Sequence, residues 1–166
     1  MNKMTRMILV AFLALPLLAA CQKKEAPEAV VKAPMSAPTT DDHQAWVDYL
    51  NDVVPRHLTG IPNQPYVYLL PGESEPEFAD QYGRLLEKAQ TDVARGIISG
   101  NLLAYASPAS AKMADLVVSA FGGVPADSMK GVRVMFFGLS EDSERVKAAV
   151  EPAGVEYVFI DTGTGK

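Results

Sequence analysis

Four short apolar runs, at 66–70, 102–106, 132–137 and 157–160, alternate with longer stretches whose apolar residues recur every three or four positions. Brief runs rich in Val, Tyr, Phe and Ile and bounded by Pro or Gly predict strands, whereas the wider spacing predicts amphipathic helices. The first helix is marked by Trp46, Leu50, Val53 and Val54; Asp41 or Asp42 caps it and Pro55 stops it. The second carries Phe78, Tyr82, Leu85, Leu86, Ala89 and Val93 on one face and breaks at Gly96 and Gly100. Its start, Ser74-Glu-Pro-Glu, has the form of a capping box with proline in the first turn. Ser107 and Pro108 read as cap and first residue of a third helix, with Met113, Leu116, Val117, Ala120 and Phe121 on its stripe and Gly122 and Gly123 at its end. Ser140 reads as the cap of a fourth, which buries Val146, Ala149 and Val150, is disturbed at Pro152 and ends at Gly154.

The resulting order is α-βαβαβαβ. Continuous apolar strands suit a sheet covered on both faces, and short connections with right-handed crossovers suit parallel pairing. The expected fold is a small three-layer α/β domain, Rossmann-like or flavodoxin-like, with about four mostly parallel strands. Strand order is left open, and a split βαβ sandwich with antiparallel pairing is the alternative.

Ahead of this domain the pattern changes. Met7 to Leu18 is apolar, follows Lys3 and Arg6, and closes on Leu18-Ala-Ala-Cys21. A basic start, an apolar centre and small residues before a cut form an export signal. The apolar part holds about a dozen residues, short of the roughly 20 that span a bilayer. Leu-Ala-Ala-Cys resembles the lipobox of bacterial lipoproteins. That resemblance covers the first 21 residues alone, and it implies cleavage before Cys21, lipid on its sulfur and acylation of the new amino terminus. Gln22 stands where an aspartate usually marks inner-membrane retention, which implies an outer-membrane anchor facing the periplasm. Residues 1–20 are then the cleaved signal, 21–40 a lipidated tether and 41–166 a single domain. Pro27, Pro34 and Pro38, among Ala and mixed charges, give the tether no apolar period. In extended proline-rich form it would reach roughly 60 Å. Cys21 is the single cysteine, so a lipidated chain has none left for a disulfide.

Charge narrows the partners. Residues 41–166 hold 18 Asp and Glu against 10 Lys and Arg, a net charge of −8. Nucleic acid, whose phosphates require a basic face, is disfavoured, as is docking of the domain on anionic lipid. Acidity fits a basic protein partner, and also plain solubility.

Candidate chemistry gathers at the carboxyl ends of the strands, where open α/β sheets bind ligands. These loops supply Glu73 and Ser74, Ser107 and Ser110, Ser140 and Glu141, and Asp161. Serines at helix starts favour anions, but Glu75, Glu77, Asp80, Asp142 and Glu144 crowd the same edges and repel them. Capping and helix-dipole compensation account for these residues more simply. No Gly-x-Gly-x-x-Gly follows the first strand, and Thr162-Gly-Thr-Gly-Lys166 lacks the spacing and following helix of a phosphate loop. There is no Gly-x-Ser-x-Gly elbow, no Cys-x-x-Cys and no calcium loop, and His43 and His57 match no zinc spacing. Glu73 with Asp161 could in principle act as an acid and base pair. The expectation is therefore a periplasmic lipoprotein, without cofactor or metal and not an enzyme, whose acidic domain binds another protein. Its job would be that of an accessory to an envelope or secretion machine, or of an immunity lipoprotein against a toxin. The alternative is a small-ligand module built on the strand-end loops.

Overall fold

The computed structural model describes residues 33–163; Cys21, the export segment and the tether up to residue 32 lie outside the described residues. Helix α1 (His43–Val53) starts where Asp42 accepts a hydrogen bond from the Ala45 N–H at 2.8 Å. Trp46, Tyr49, Leu50 and Val53 line its buried side. Pro55, having no N–H to donate, is accommodated in the first turn of a 3-10 segment, Val54–His57. The chain then forms β1 (Tyr66–Leu69), α2 (Phe78–Ala94), β2 (Leu102–Ala106), α3 (Ser110–Phe121), β3 (Arg133–Gly138), α4 (Ser140–Val150) and β4 (Glu156–Asp161). This is the α-βαβαβαβ order expected from the apolar pattern. The class is as expected too: a three-layer, flavodoxin-like α/β domain with four parallel strands.

Three local expectations are corrected, all at helix starts. The capping box at Ser74 does not form; Ser74 Oγ bonds Asp41 Oδ2 at 2.8 Å, and Glu77 takes the N-cap position without a side-chain bond. A partner far along the chain displaces the local one, because Gly72 lies so close to Asp41 that a Cβ there would meet its Oδ2 at 2.1 Å. Ser107 and Pro108 precede α3 and do not open it: Ser107 Oγ accepts from the Ala109 N–H at 2.9 Å, which holds the chain in a turn before the helix. Ser140 is the first residue of α4, and Leu139, extended at φ −88° and ψ 150°, is the N-cap.

Strands pair in the order β1-β2-β3-β4. Each right-handed crossover therefore moves the same way along the sheet, which places α2, α3 and α4 on one face. The packing agrees. Tyr68, Leu103, Tyr105, Val134 and Phe136 join Ala89 and Val93 of α2, Met113, Leu116 and Val117 of α3 and Val146 and Val150 of α4 in one cluster. The other face is covered by α1, whose Trp46, Tyr49 and Leu50 pack with Leu102, Ala104, Ala106, Met135 and Phe137. Within the first core Tyr68 stacks on Tyr105 with centroids 4.6 Å apart.

Part of the expected tether lies along the domain. Met35 N–H donates to Asp52 at 2.8 Å, Ala37 packs against the α1 core, and Thr40 C=O accepts from the Trp46 indole at 2.9 Å. Among the described residues no helix is long and apolar enough to cross a membrane.

Candidate functional site

Parallel strands align all their carboxyl ends on one edge, so four loops distant in sequence meet there. Pro71 and Gly72 follow β1, Ser107 follows β2, Leu139 follows β3, and Thr162 and Gly163 follow β4. Every residue picked out as a binding rim lies on this edge. Glu73, Ser74, Ser140, Glu141 and Asp161 are exposed, whereas Ser107 and Ser110 are buried.

The buried pair is committed to internal bonds. Ser107 Oγ donates to Pro71 C=O at 3.4 Å, which ties the loop after β2 to the loop after β1. Ser110 Oγ donates to Asp142 Oδ2 at 2.6 Å and accepts the Leu139 N–H at 2.8 Å. One hydroxyl thereby joins the start of α3, the loop after β3 and the first turn of α4. Gly138 makes the approach possible, because a Cβ at that position would stand 2.6 Å from Ser110 Oγ.

Asp142 is 6% exposed. Its other oxygen accepts from Arg145 Nε at 3.1 Å and from a second guanidinium nitrogen at 2.8 Å. Arg145 also donates to Asp115 and to Ala111 C=O, so it clamps α4 to α3. Partial burial alone would lower the Arg145 pKa, but the carboxylates of Asp115 and Asp142 outweigh it and hold the guanidinium above its ordinary value. A hydroxyl donating to one oxygen and a guanidinium forking onto the other supply both carboxylate oxygens of Asp142 with donors. The chemistry of this set is that of a cross-helix brace: its hydroxyl already donates to a carboxylate.

The exposed rim is acidic. Asp41, Glu73, Glu75, Glu77 and Asp80 surround the end of β1, and Glu141 and Asp161 border the ends of β3 and β4. Lys112, in the first turn of α3, reaches Glu73 only at 3.9 Å. Asp161 also acts inward: burial, and secondarily the Asp161 charge, raise the Tyr49 phenol above its ordinary pKa, so it stays protonated. The opposite, amino edge is mixed, with Arg95, Lys130, Arg133 and Lys147 beside Asp127, Glu151 and Glu156. The domain's net negative charge is thus gathered at one end.

Glu73 and Asp161 lie at opposite ends of that edge, on the loops after the two outer strands, which does not place them as a working pair. Among the described residues no group of three or more His, Cys, Asp or Glu could hold a metal ion. The strand order bears on ligands too. A doubly wound sheet binds in the crevice where successive crossovers turn to opposite faces. The order β1-β2-β3-β4 has no such reversal among the described residues. Sequence reasoning missed Asp41, Asp142 and Arg145 as organisers of this edge; the three-residue spacing of Asp142 and Arg145 was a readable signal, while Asp115 and Ser110 became neighbours only through the crossover. No protein-family model, curated protein or solved structure matches this chain.

Proposed function

We propose that this protein is a lipid-anchored component of the bacterial envelope whose domain binds a basic protein partner through the carboxyl edge of its sheet, without catalysing a reaction. The observation that carries the reading is the acidic rim: Asp41, Glu73, Glu75, Glu77, Asp80, Glu141 and Asp161 at one end, faced by few cations. Such a field steers a complementary partner and raises its association rate. The anchor rests on Cys21 at the end of Leu-Ala-Ala-Cys, and the outer membrane is the proposed address. Several acyl chains hold a protein at a membrane that one chain would hold only marginally. An accessory to a secretion or envelope machine and an immunity lipoprotein against a basic periplasmic toxin are the two jobs that fit.

Mass spectrometry of the native protein should find the first mature residue to be a thioether-lipidated, N-acylated Cys21. Crosslinking in intact cells, followed by capture of the whole chain, should recover a basic partner. The triple variant Glu73→Lys, Glu75→Lys, Asp161→Lys should lose it while keeping the fold. An unmodified thiol at Cys21 sinks the anchor; a partner held equally well by the triple variant sinks the rim.

A further inference from the structure

The β1 edge, which runs into the acidic rim at its carboxyl end, has properties of its own along its length. Leu70 N–H donates to Ala106 C=O, and in a parallel ladder alternate residues of a strand point toward the neighbour. Tyr66 and Tyr68 therefore share that direction, and Val67 and Leu69 turn N–H and C=O away from β2, where no strand pairs with them among the described residues. The same two residues put their side chains on the α1 face. There an apolar groove of about 330 Å³ runs between the strand and the helix, lined by Val47, Leu50, Val54, Val67 and Leu69. The flank of α1 opposite this groove is the one that carries Asp52, and Met35 occupies it. One side of the α1 layer is thus covered by chain and the other is open.

Three of the exposed large apolar residues sit around this edge: Val67 at 44%, Tyr66 at 37% and Ile98 at 72%. The other outer strand, β4, is different, since Val158 and Ile160 are only half-exposed. On the opposite face of β1 the neighbourhood is basic. Arg84 and Lys88 of α2 border Leu69 and Leu70, Lys88 lies 5.9 Å from the Tyr66 ring centroid, and Arg95 continues the flank. Glu87 and Asp92 share this flank, and because Lys88 pairs with Asp92 at 2.5 Å, the cations left for a partner there are Arg84 and Arg95.

We propose that β1 is a docking edge for an extended segment of another protein, with apolar residues alternating with acidic ones, which adds a fifth strand to the sheet. Its main chain pairs with Val67 and Leu69, its apolar side chains enter the groove under α1, and its carboxylates face Arg84 at the end of the strand. Charge selects this occupant over a second copy of the chain. Antiparallel pairing of two β1 edges would bring α2 beside α2 and set Lys88, which lies beside Tyr66 and Tyr68 in the middle of the strand, against its own duplicate near the two-fold axis.

The test is fluorescence anisotropy of proline-flanked, labelled Val-Glu-Val-Glu-Val peptide titrated with the whole chain, against Val-Lys-Val-Lys-Val of the same length. The glutamate peptide should bind and the lysine peptide should not. Val67→Pro removes an N–H that β2 does not use, so the ladder survives and affinity should fall about tenfold. Arg84→Glu should reverse the preference toward the lysine peptide while leaving the fold intact. Failure of the glutamate peptide to bind, equal binding of both peptides, or affinity untouched by Val67→Pro overturns the proposal. A dimer in sedimentation that Val67→Pro dissolves would overturn it in favour of self-pairing. Loss of the acidic-rim partner in the triple variant would leave these results unchanged, so the two readings fail separately.

Discussion

Replacing Ser110 by Ala tests whether the strand-end serines brace the fold or await a ligand. Ser110 is 5% exposed and makes two bonds through one oxygen. Deleting it leaves Asp142 Oδ2 without its donor and the Leu139 N–H without its acceptor. A hydrogen bond to a charged group contributes about 1.5–3 kcal/mol, and an orphaned partly buried N–H costs about 1 kcal/mol more. Arg145 still holds the other carboxylate oxygen, which limits the total to about 2–4 kcal/mol. With about 2.1 cal/mol/K of unfolding entropy per residue over roughly 130 ordered residues, the melting temperature should fall by about 7–15 °C. Urea unfolding followed by the fluorescence of Trp46, the single tryptophan and a buried one, reads the same quantity. The midpoint should drop with the slope unchanged. Ser140→Ala is the control: Ser140 is exposed and forms no cap bond, so it should stay within about 0.5 kcal/mol of the parent. If Ser110→Ala matched that control, or if its effect were additive with Asp142→Asn, the brace would be refuted.

Gly138→Ala should destabilise more than a typical substitution, by roughly 2–4 kcal/mol, because the new methyl meets the buried Phe136 ring at 2.5 Å as well as Ser110 Oγ; thermal unfolding decides it, and a stability within error of the parent would show that the loop after β3 can yield. Tyr105→Phe should raise stability by about 1 kcal/mol, since the buried Tyr105 hydroxyl has no hydrogen-bond partner among the described residues and the ring keeps its stack on Tyr68. A loss on urea unfolding would instead show that this hydroxyl is bonded. Acid should weaken the fold through Asp92, whose burial raises its pKa but whose bonds from Lys88 and Tyr68 prevail and hold it below the ordinary carboxylate value. The folded state therefore binds this proton less readily than the unfolded chain. The stabilisation is complete above the unfolded value of about 3.9 and disappears as pH falls through that value to the folded one. Tyr68→Phe should shrink the difference between urea midpoints at pH 5 and pH 3, and an undiminished difference would mean that Asp92 contributes little to it.

Local periodicity along the chain was enough to set the elements, their succession and the faces they bury. Apolar spacing reports local periodicity, and burying a periodic stripe is the dominant favourable term, so Trp46, Met113, Leu116 and Phe136 could be placed in the core before any pairing was known. Parallel pairing followed from continuous apolar strands joined by helices. Everything set by neighbours far apart in the chain emerged only on folding. Strand order carries no local signature, yet it put α2, α3 and α4 on one face, left α1 alone on the other and removed any reversal of winding. Helix starts were misplaced for the same reason. Ser74 and Ser107 have local capping chemistry, but their hydroxyls donate to Asp41 Oδ2 and to Pro71 C=O, acceptors that only the assembled edge brings to them. Acidic residues could be counted from composition; their collection at one end, with a bare apolar strand beside a basic flank at another, exists only once the sheet is assembled.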